Sequence, residues 1–486
     1  MTRRVASNTI YNLAGGVVPL LVSFVTVPLY LHRIGDARYG VLAIVWLFVS
    51  YFGVLDMGLS QATANQIAKL HEAPAEERQS VFWTALLLNG AFGMVGAVCL
   101  WGTGKFFLTH FFKIPENLHG EVVAALPWIA SSVPLATLTG VLTGTLEARG
   151  RFLQINTIQV LGSFLYQVVP LGVAYLYSRS LSWLIPAIIL ARLGSFLPLL
   201  IAALRSIPVT RFTGPSRRWV RLLLGYGGWV TVTNLVGPIL TALDRFLVGA
   251  VLGVTDVAWY SVPFNLASRL MMFPSALVRT LFPEFSKMEA TTSTELVDRS
   301  VRFIGASFAP VIVVAVLAMR PFLTVWIGPK FATHAAPVGL IFLLGFWINA
   351  VAYIPFAYLQ AKGRPDIVAK IHLIEVLPFV ALLWVAMKTL GLEGGALTWS
   401  LRVLVDTALM LWMGRIGKQY VLVLWPAIPL LGCAWGLAAW VPFVSVWYSV
   451  AGSTLTIIAI TWAFWLEPRL WELFRQGVGR VRSFVF

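Results

Sequence analysis

About fourteen apolar stretches follow one another along this chain, each long enough to cross a bilayer and separated only by short polar connections. Their approximate limits are 10–31, 40–66, 80–104, 121–146, 153–177, 182–204, 226–251, 257–283, 303–326, 335–360, 367–388, 395–414, 420–441 and 446–466. At a rise of about 1.5 Å per residue, roughly 20 residues cover the hydrocarbon core. Such spans must be helical, because an open sheet edge leaves backbone groups unpaired in lipid. The pattern therefore predicts an all-α polytopic membrane protein. Composition agrees: 58% of the 486 residues are hydrophobic and 12% charged, against about 25% charged in soluble domains. Cys99 and Cys433 each sit in an apolar run and supply neither a disulfide framework nor a metal pattern, so no metal site is expected. Thr2-Arg3-Arg4 leads into the first stretch without a small-residue cleavage pattern, so that stretch is expected to remain as a span.

The chain also repeats itself. Leu146-Glu147-Ala148-Arg149-Gly150-Arg151 returns as Leu359-Gln360-Ala361-Lys362-Gly363-Arg364, 213 residues later. Ile34-Gly35-Asp36-Ala37-Arg38-Tyr39-Gly40 is echoed by Leu252-Gly253-Val254-Thr255-Asp256-Val257-Ala258-Trp259-Tyr260, with Gly253 lying 218 residues after Gly35. Two markers in one order at nearly one interval indicate a duplicated half, as in transporters that rock two lobes about a central site. The expected division is an N-lobe of spans 1–6 over 1–212, a C-lobe of spans 7–12 over 213–418, and spans 13–14 with a basic tail over 419–486.

The net charge of +16 reads as topology rather than nucleic-acid binding. Counting residues near a span end with the adjoining loop, 24 of the 36 Lys and Arg fall at the termini and in even-numbered loops, eight in odd-numbered loops, and four lie deeper within spans: Arg192, Arg245, Arg269 and Arg402. The positive-inside rule then puts both termini in the cytoplasm. The densest patch, Arg205, Arg211, Arg217, Arg218 and Arg221, joins the two halves. Both Gly-Asp-Tyr loops fall outside and both Gly-Arg loops inside, so the repeats are expected to be parallel, giving two parallel six-helix lobes plus two extra C-terminal helices.

Several local strings, taken in order, resemble the polysaccharide-export flippases of the multidrug/oligosaccharidyl-lipid/polysaccharide (MOP) superfamily. They are Ser7-Asn8, the Gly35–Gly40 loop, Leu55-Asp56-Met57-Gly58-Leu59, Glu147–Gly150, Leu243-Asp244-Arg245-Phe246, Leu281-Phe282-Pro283-Glu284 and Val325-Trp326-Ile327-Gly328-Pro329-Lys330-Phe331. The resemblance implies a flippase that moves a polyprenyl-diphosphate-linked oligosaccharide from the cytoplasmic to the outer leaflet of the bacterial inner membrane by alternating access, for O-antigen, exopolysaccharide or capsule assembly. It implies a polysaccharide polymerase and chain-length machinery as partners. A sugar headgroup cannot cross hydrocarbon bare, since each unpaired polar group costs several kcal/mol. The anionic head therefore calls for a cavity with fixed positive charge.

On that reading, the cavity cations are Arg269, near the middle of span 8, with Arg245 in span 7 and Arg192 in span 6; intramembrane charges usually face the bundle interior. Each has a bland alternative, a packing role beside an acid. Asp244 and Arg245 are adjacent, about 100° apart on a helix, so one is expected toward the cavity and the other toward a neighbouring helix. Asp56, between Gly53 and Gly58 at a suspected helix break, and Glu375, one turn after His372, are candidates for ion coupling. Arg402 and Asp406, four apart, are expected to neutralise each other along one helix face. Pro19, Pro28 and Pro238 interrupt backbone ladders and are candidate hinges. Gly140-x-x-x-Gly144 reads as close helix contact, and most of the 20 Trp and 13 Tyr as interface belts.

Other functions fare worse. Gly102-Thr103-Gly104-Lys105-Phe106 lacks the first Gly and the Ser/Thr of a nucleotide-binding loop. A membrane glycan polymerase would need a longer external loop than 105–120, which holds Lys105, His110, Lys113 and His119. No catalytic residue and no cofactor is expected, with the membrane potential, H+ or Na+ as candidates for coupling. The nearest rivals are a lipid-linked peptidoglycan precursor flippase and a drug/cation antiporter of the same superfamily, the latter favouring cavity carboxylates over arginines.

Overall fold

In a computed structural model the described residues are 2–51, 58–70, 73–207, 212, 214–287, 290–413 and 425–471. Among them the regular structure is helical. The helices are α1 (Thr2–Tyr51), α2 (Leu59–Lys69), α3 (Ala75–Phe106), α4 (Glu116–Ala148), α5 (Phe152–Leu176), α6 (Leu181–Ser206), α7 (Arg217–Val251), α8 (Val254–Arg269), α9 (Met272–Lys287), α10 (Ala290–Trp326), α11 (Pro329–Ala361), α12 (Pro365–Met413), α13 (Ala427–Trp440) and α14 (Val446–Leu466). A π-helical turn, Phe107–Phe111, extends α3. Among the described residues, nine helices are long and apolar enough to cross a membrane. The protein is a multi-pass, all-α membrane protein.

Helices and expected spans do not correspond one to one. α1 runs through the first connection and breaks at Gly35 (φ 80°), and α12 carries spans 11 and 12 on either side of Gly391 (φ 61°). Both are left-handed backbone positions, which glycine adopts without the Cβ clash of other residues. Spans 2 and 8 are each broken: α2 starts only after Gly58 (φ 66°), and a turn at Leu270–Met271 separates α8 from α9.

The duplication extends to helix boundaries. α2 and α9 begin at Leu59 and Met272, α4 and α11 at Glu116 and Pro329, and α5 and α12 at Phe152 and Pro365, each pair 213 residues apart. The Gly-Arg turns match bond for bond. Gly150 N–H donates to the Glu147 carbonyl (2.9 Å) and Arg151 N–H to that of Leu146 (3.0 Å). In the second copy Gly363 donates to Gln360 (3.0 Å) and Arg364 to Leu359 (2.9 Å), and the glycine φ values are 67° and 70°. This is a Schellman cap, in which a left-handed glycine lets two amides close onto the last carbonyls of the helix.

The chain forms two compact units, Met1–Ala258 and Trp259–Phe486. In the first unit, loops expected on one side of the membrane meet. Lys113 N–H donates to the Gly249 carbonyl (3.0 Å), Val254 N–H donates to the Lys113 carbonyl (3.2 Å), and the Val254 carbonyl fills the space where a side chain at Gly40 would begin. Elsewhere in that unit Ser216 N–H reaches the Thr84 hydroxyl (3.2 Å), tying the connection before α7 to the first half of α3. Gly144 approaches the Ser60 carbonyl so closely that a Cβ would lie 2.4 Å from it, which is the close contact expected of the Gly140/Gly144 pair.

Aromatic residues expected at the interface are partly core. Trp46 packs edge-to-face with Tyr30 and Tyr39 in the first unit, with Tyr30–Trp46 centroids 5.7 Å apart. In the second unit Tyr260, Phe264, Phe342 and Trp399 interlock at 4.9–5.5 Å. Outside the repeat, α14 packs on α10: Tyr448 donates to the Leu317 carbonyl, and Glu467 pairs with Arg302 at 3.1 Å.

Candidate functional site

Within the second unit, four candidate residues from the two arms of α12 converge. Folding back at Gly391 sets the arms antiparallel. Arg402 Nη1 then meets Glu375 Oε2 at 3.6 Å, while His372 Nε2 meets Asp406 Oδ1 at 3.6 Å. Glu375 and Asp406 are buried. Arg402 and Asp406, expected to neutralise each other along one helix, are not in direct ion-pair contact; the acid that meets the guanidinium comes from the facing arm. The reason is geometric: the facing arm brings Glu375 closer to the guanidinium than one turn of the same helix brings Asp406. The Arg402 guanidinium also lies 5.6 Å from the centre of the Phe379 ring, and His372 stacks on Phe356 at 6.5 Å. Glu375 and His372, expected to be neighbours for ion coupling, thus share one polar cluster with the other two.

Asp244 and Arg245 in α7 are both buried. They were expected to diverge, yet Asp244 Oδ1 accepts the Arg245 backbone N–H (2.9 Å) and lies 3.5 Å from Arg245 Nε. The long arginine side chain folds back along the helix, so the 100° separation of adjacent Cβ atoms does not keep the charged ends apart. Arg192 in α6 donates to the Val49 carbonyl of α1 at 3.3 Å. Beside it Ser195 takes the space opposite Gly162, where a Cβ would stand 2.6 Å from the serine Cβ, so the small residues here do serve close packing.

Arg269 lies not inside a continuous helix but at its end: it is the last residue of α8, and its side chain is exposed. A cation is favourable at a helix C-terminus, where unpaired carbonyls carry partial negative charge. At the 213-residue interval its counterpart is Asp56, which falls outside the described residues. Pro19 and Pro28 lie within helical backbone of α1, whose break comes at Gly35 instead. Pro238 lies within α7. Among the described residues no group of three or more His, Cys, Asp or Glu could hold a metal ion.

Sequence reasoning missed one polar contact. Arg38 grips Glu121 with two bonds (2.6 and 3.2 Å), and the same carboxylate accepts the Leu181 N–H at the start of α6 (2.7 Å). Three segments are joined by one buried-edge carboxylate. The signal available was an acid early in an otherwise apolar span.

A Shigella flexneri protein bearing the name "Putative O-antigen transporter" is 29% identical over 412 residues, covering 84% of this chain and 97% of that protein. A structure of the lipid II flippase MurJ in an inward closed conformation superposes with a TM-score of 0.68 at 13% identity, over 93% of this chain and 99% of that one. An inward-facing multidrug resistance MATE family transporter of the MOP superfamily gives 0.66 at 15% identity, over 85% and 99%. At such identities the two structures establish a shared fold. The family described as "Polysaccharide biosynthesis protein" matches residues 34–336, well over half of the sequence and parts of both repeats, and the chain belongs to that family.

Proposed function

We propose that this protein is a flippase for polyprenyl-diphosphate-linked oligosaccharides, carrying the headgroup from the cytoplasmic to the outer leaflet of the inner membrane by alternating access. The observation that carries this reading is the near full-length match to the Shigella flexneri protein named for O-antigen transport, set on a fold shared with a lipid II flippase. The glycan then enters O-antigen, exopolysaccharide or capsule, with a polymerase and chain-length machinery downstream. The protein moves its cargo and makes or breaks no bond in it.

In this reading both termini are cytoplasmic, and the lobes 1–212 and 213–418 rock about a central cavity, with 419–486 outside the repeat. Arg269, Arg245 and Arg192 supply positive charge to the diphosphate. Arg269 leads, because its accessible position at a helix break lets it reach a ligand, whereas Arg245 and Arg192 already have protein partners. The membrane potential drives an anionic head outward, by about 2.3 kcal/mol per charge per 100 mV. H+ or Na+ coupling through Glu375, His372 or Asp56 adds to it. Pro19, Pro28 and Pro238 provide local give. The second reading, a flippase for lipid-linked peptidoglycan precursor, rests on the MurJ likeness and differs only in cargo.

The test is an Arg269 series in a flippase-null strain, with protein abundance measured alongside. Arg269→Lys should keep partial export, since an ammonium attracts phosphate but lacks the forked donors. Arg269→Ala should lose most of it at normal abundance, and Arg269→Glu should be worst. Normal export by Arg269→Ala at normal abundance would refute the assignment.

A further inference from the structure

The second copy of the Gly-Arg turn borders a pocket of about 870 Å³. Its floor is apolar: Leu359 and Ile367 are buried and pack with Val368, Ile371 and Met410. Its rim is cationic, with Lys362 and Arg364 on either side of Gly363 and Lys370 one turn into α12. The Schellman cap holds the first two in place. Asp366 bridges Arg364 (3.1 Å) and Lys370 (3.6 Å), so a single carboxylate orients two cations and the rim keeps a positive balance. Lys362 Nζ lies 5.9 Å from the centre of the Tyr358 ring, and Trp412, 76% exposed, forms one wall.

The location narrows the ligand. The C-terminus of α11 and both ends of α12 meet here, so the pocket opens where helices leave the hydrocarbon, and tryptophan is favoured at that depth. Cations above an apolar floor at a membrane surface match a phosphate group that still carries its hydrocarbon chain. We infer that this pocket binds a phosphate-bearing lipid headgroup. Two lipids offer that chemistry: an anionic phospholipid of the surrounding leaflet, or the diphosphate of the proposed cargo. The second source rests on the flippase reading and on the cytoplasmic orientation, whereas the pocket itself rests on neither. Basic residues that served only to orient the chain would be interchangeable with those of the first copy of the turn, Arg149 and Arg151, and this supplies the control.

The full-length protein in mild detergent is titrated with phosphatidylglycerol and, separately, with a short-chain polyprenyl diphosphate, and bound lipid is counted by native mass spectrometry. Lys362→Gln/Arg364→Gln/Lys370→Gln should weaken binding of at least one lipid about tenfold or more, because basic residues near such a surface attract anionic headgroups. Arg149→Gln/Arg151→Gln should bind as the unmodified protein does. Preference for the phospholipid makes the pocket a lipid anchor, and preference for the diphosphate makes it a capture point for cargo; both support it. Unchanged binding by the triple variant, or an equal loss in the Arg149/Arg151 control, overturns the site. Should the triple variant aggregate, Lys370→Gln and Trp412→Ala, both on exposed side chains, take its place. Each should weaken binding several-fold, and no change in either overturns the proposal. Since no arm reads flipping, failure of the pocket and failure of the transport reading remain distinct.

Discussion

Arg402 Nη1 sits 3.6 Å from Glu375 Oε2, joining two arms of one helix that folds back at Gly391. One turn further toward the helix ends, His372 faces Asp406 at the same 3.6 Å. Two carboxylates, a guanidinium and an imidazole thus form a ladder between antiparallel arms. Both Glu375 carboxylate oxygens, Arg402 Nε and Asp406 Oδ1 are buried without a hydrogen-bond partner. The contacts across the arms are thus at ion-pair distance without the geometry of hydrogen bonds.

Removing one member of a buried pair leaves the other uncompensated, at a cost of about 3–5 kcal/mol, while replacing both with apolar residues of similar size is often neutral. Arg402→Met should therefore sharply lower the unfolding midpoint in detergent, and Arg402→Met/Glu375→Met should recover most of the loss. If the double variant is as unstable as the sum of the two single variants, the residues are not coupled.

Gly150 and Gly363 hold φ values of 67° and 70° with open space where a side chain would start. Only backbone strain opposes a substitution there. Alanine at either position should destabilise by about 1–2 kcal/mol, and asparagine by less, because its side chain tolerates the left-handed region. Equal effects of Ala and Asn in thermal unfolding would argue that the turn relaxes to another conformation.

Steric closeness makes a different prediction at Gly144. A Cβ there would lie 2.4 Å from the Ser60 carbonyl oxygen. Backbone cannot yield as a flexible side-chain tip does, so Gly144→Ala should separate α4 from α2 and reduce accumulation of folded protein. Gly120→Ala, with open space at its Cβ, is the matched control and should accumulate normally. Normal levels for both would show that the α2–α4 contact is soft.

Orientation is checked by thiol labelling in a background lacking Cys99 and Cys433. A cysteine at Ser216 should be shielded from impermeant reagents in intact cells, and one at Thr255 should react. The reverse pattern would invert the topology.

Energy coupling is read in proteoliposomes carrying a polyprenyl-diphosphate cargo. Imposing a potential negative on the side that loads the cargo should speed its transfer, and the direction should reverse with the sign. Indifference both to potential and to H+ or Na+ gradients would remove the coupling proposal.

The sequence by itself determined the class and the repeat. Long apolar runs admit only helices in lipid, and the recurring Gly-Arg string marks both connections as loops; the left-handed glycine that caps each helix there is seen in the structure, though its cause is local. Glycine also foretold the break near Gly58, since its cause is local. Which charges meet was decided by tertiary structure alone. Arg402 has Asp406 one turn away in sequence, but the fold at Gly391 brings Glu375 to it from the opposing arm. Arg38 finds Glu121 across more than eighty residues, and Arg245 curls back onto its own neighbour. Hydropathy places a residue at a depth in the membrane; the partner of a charge depends on which helix packs beside it and how side chains several bonds long bend, and no one-dimensional pattern carries that information.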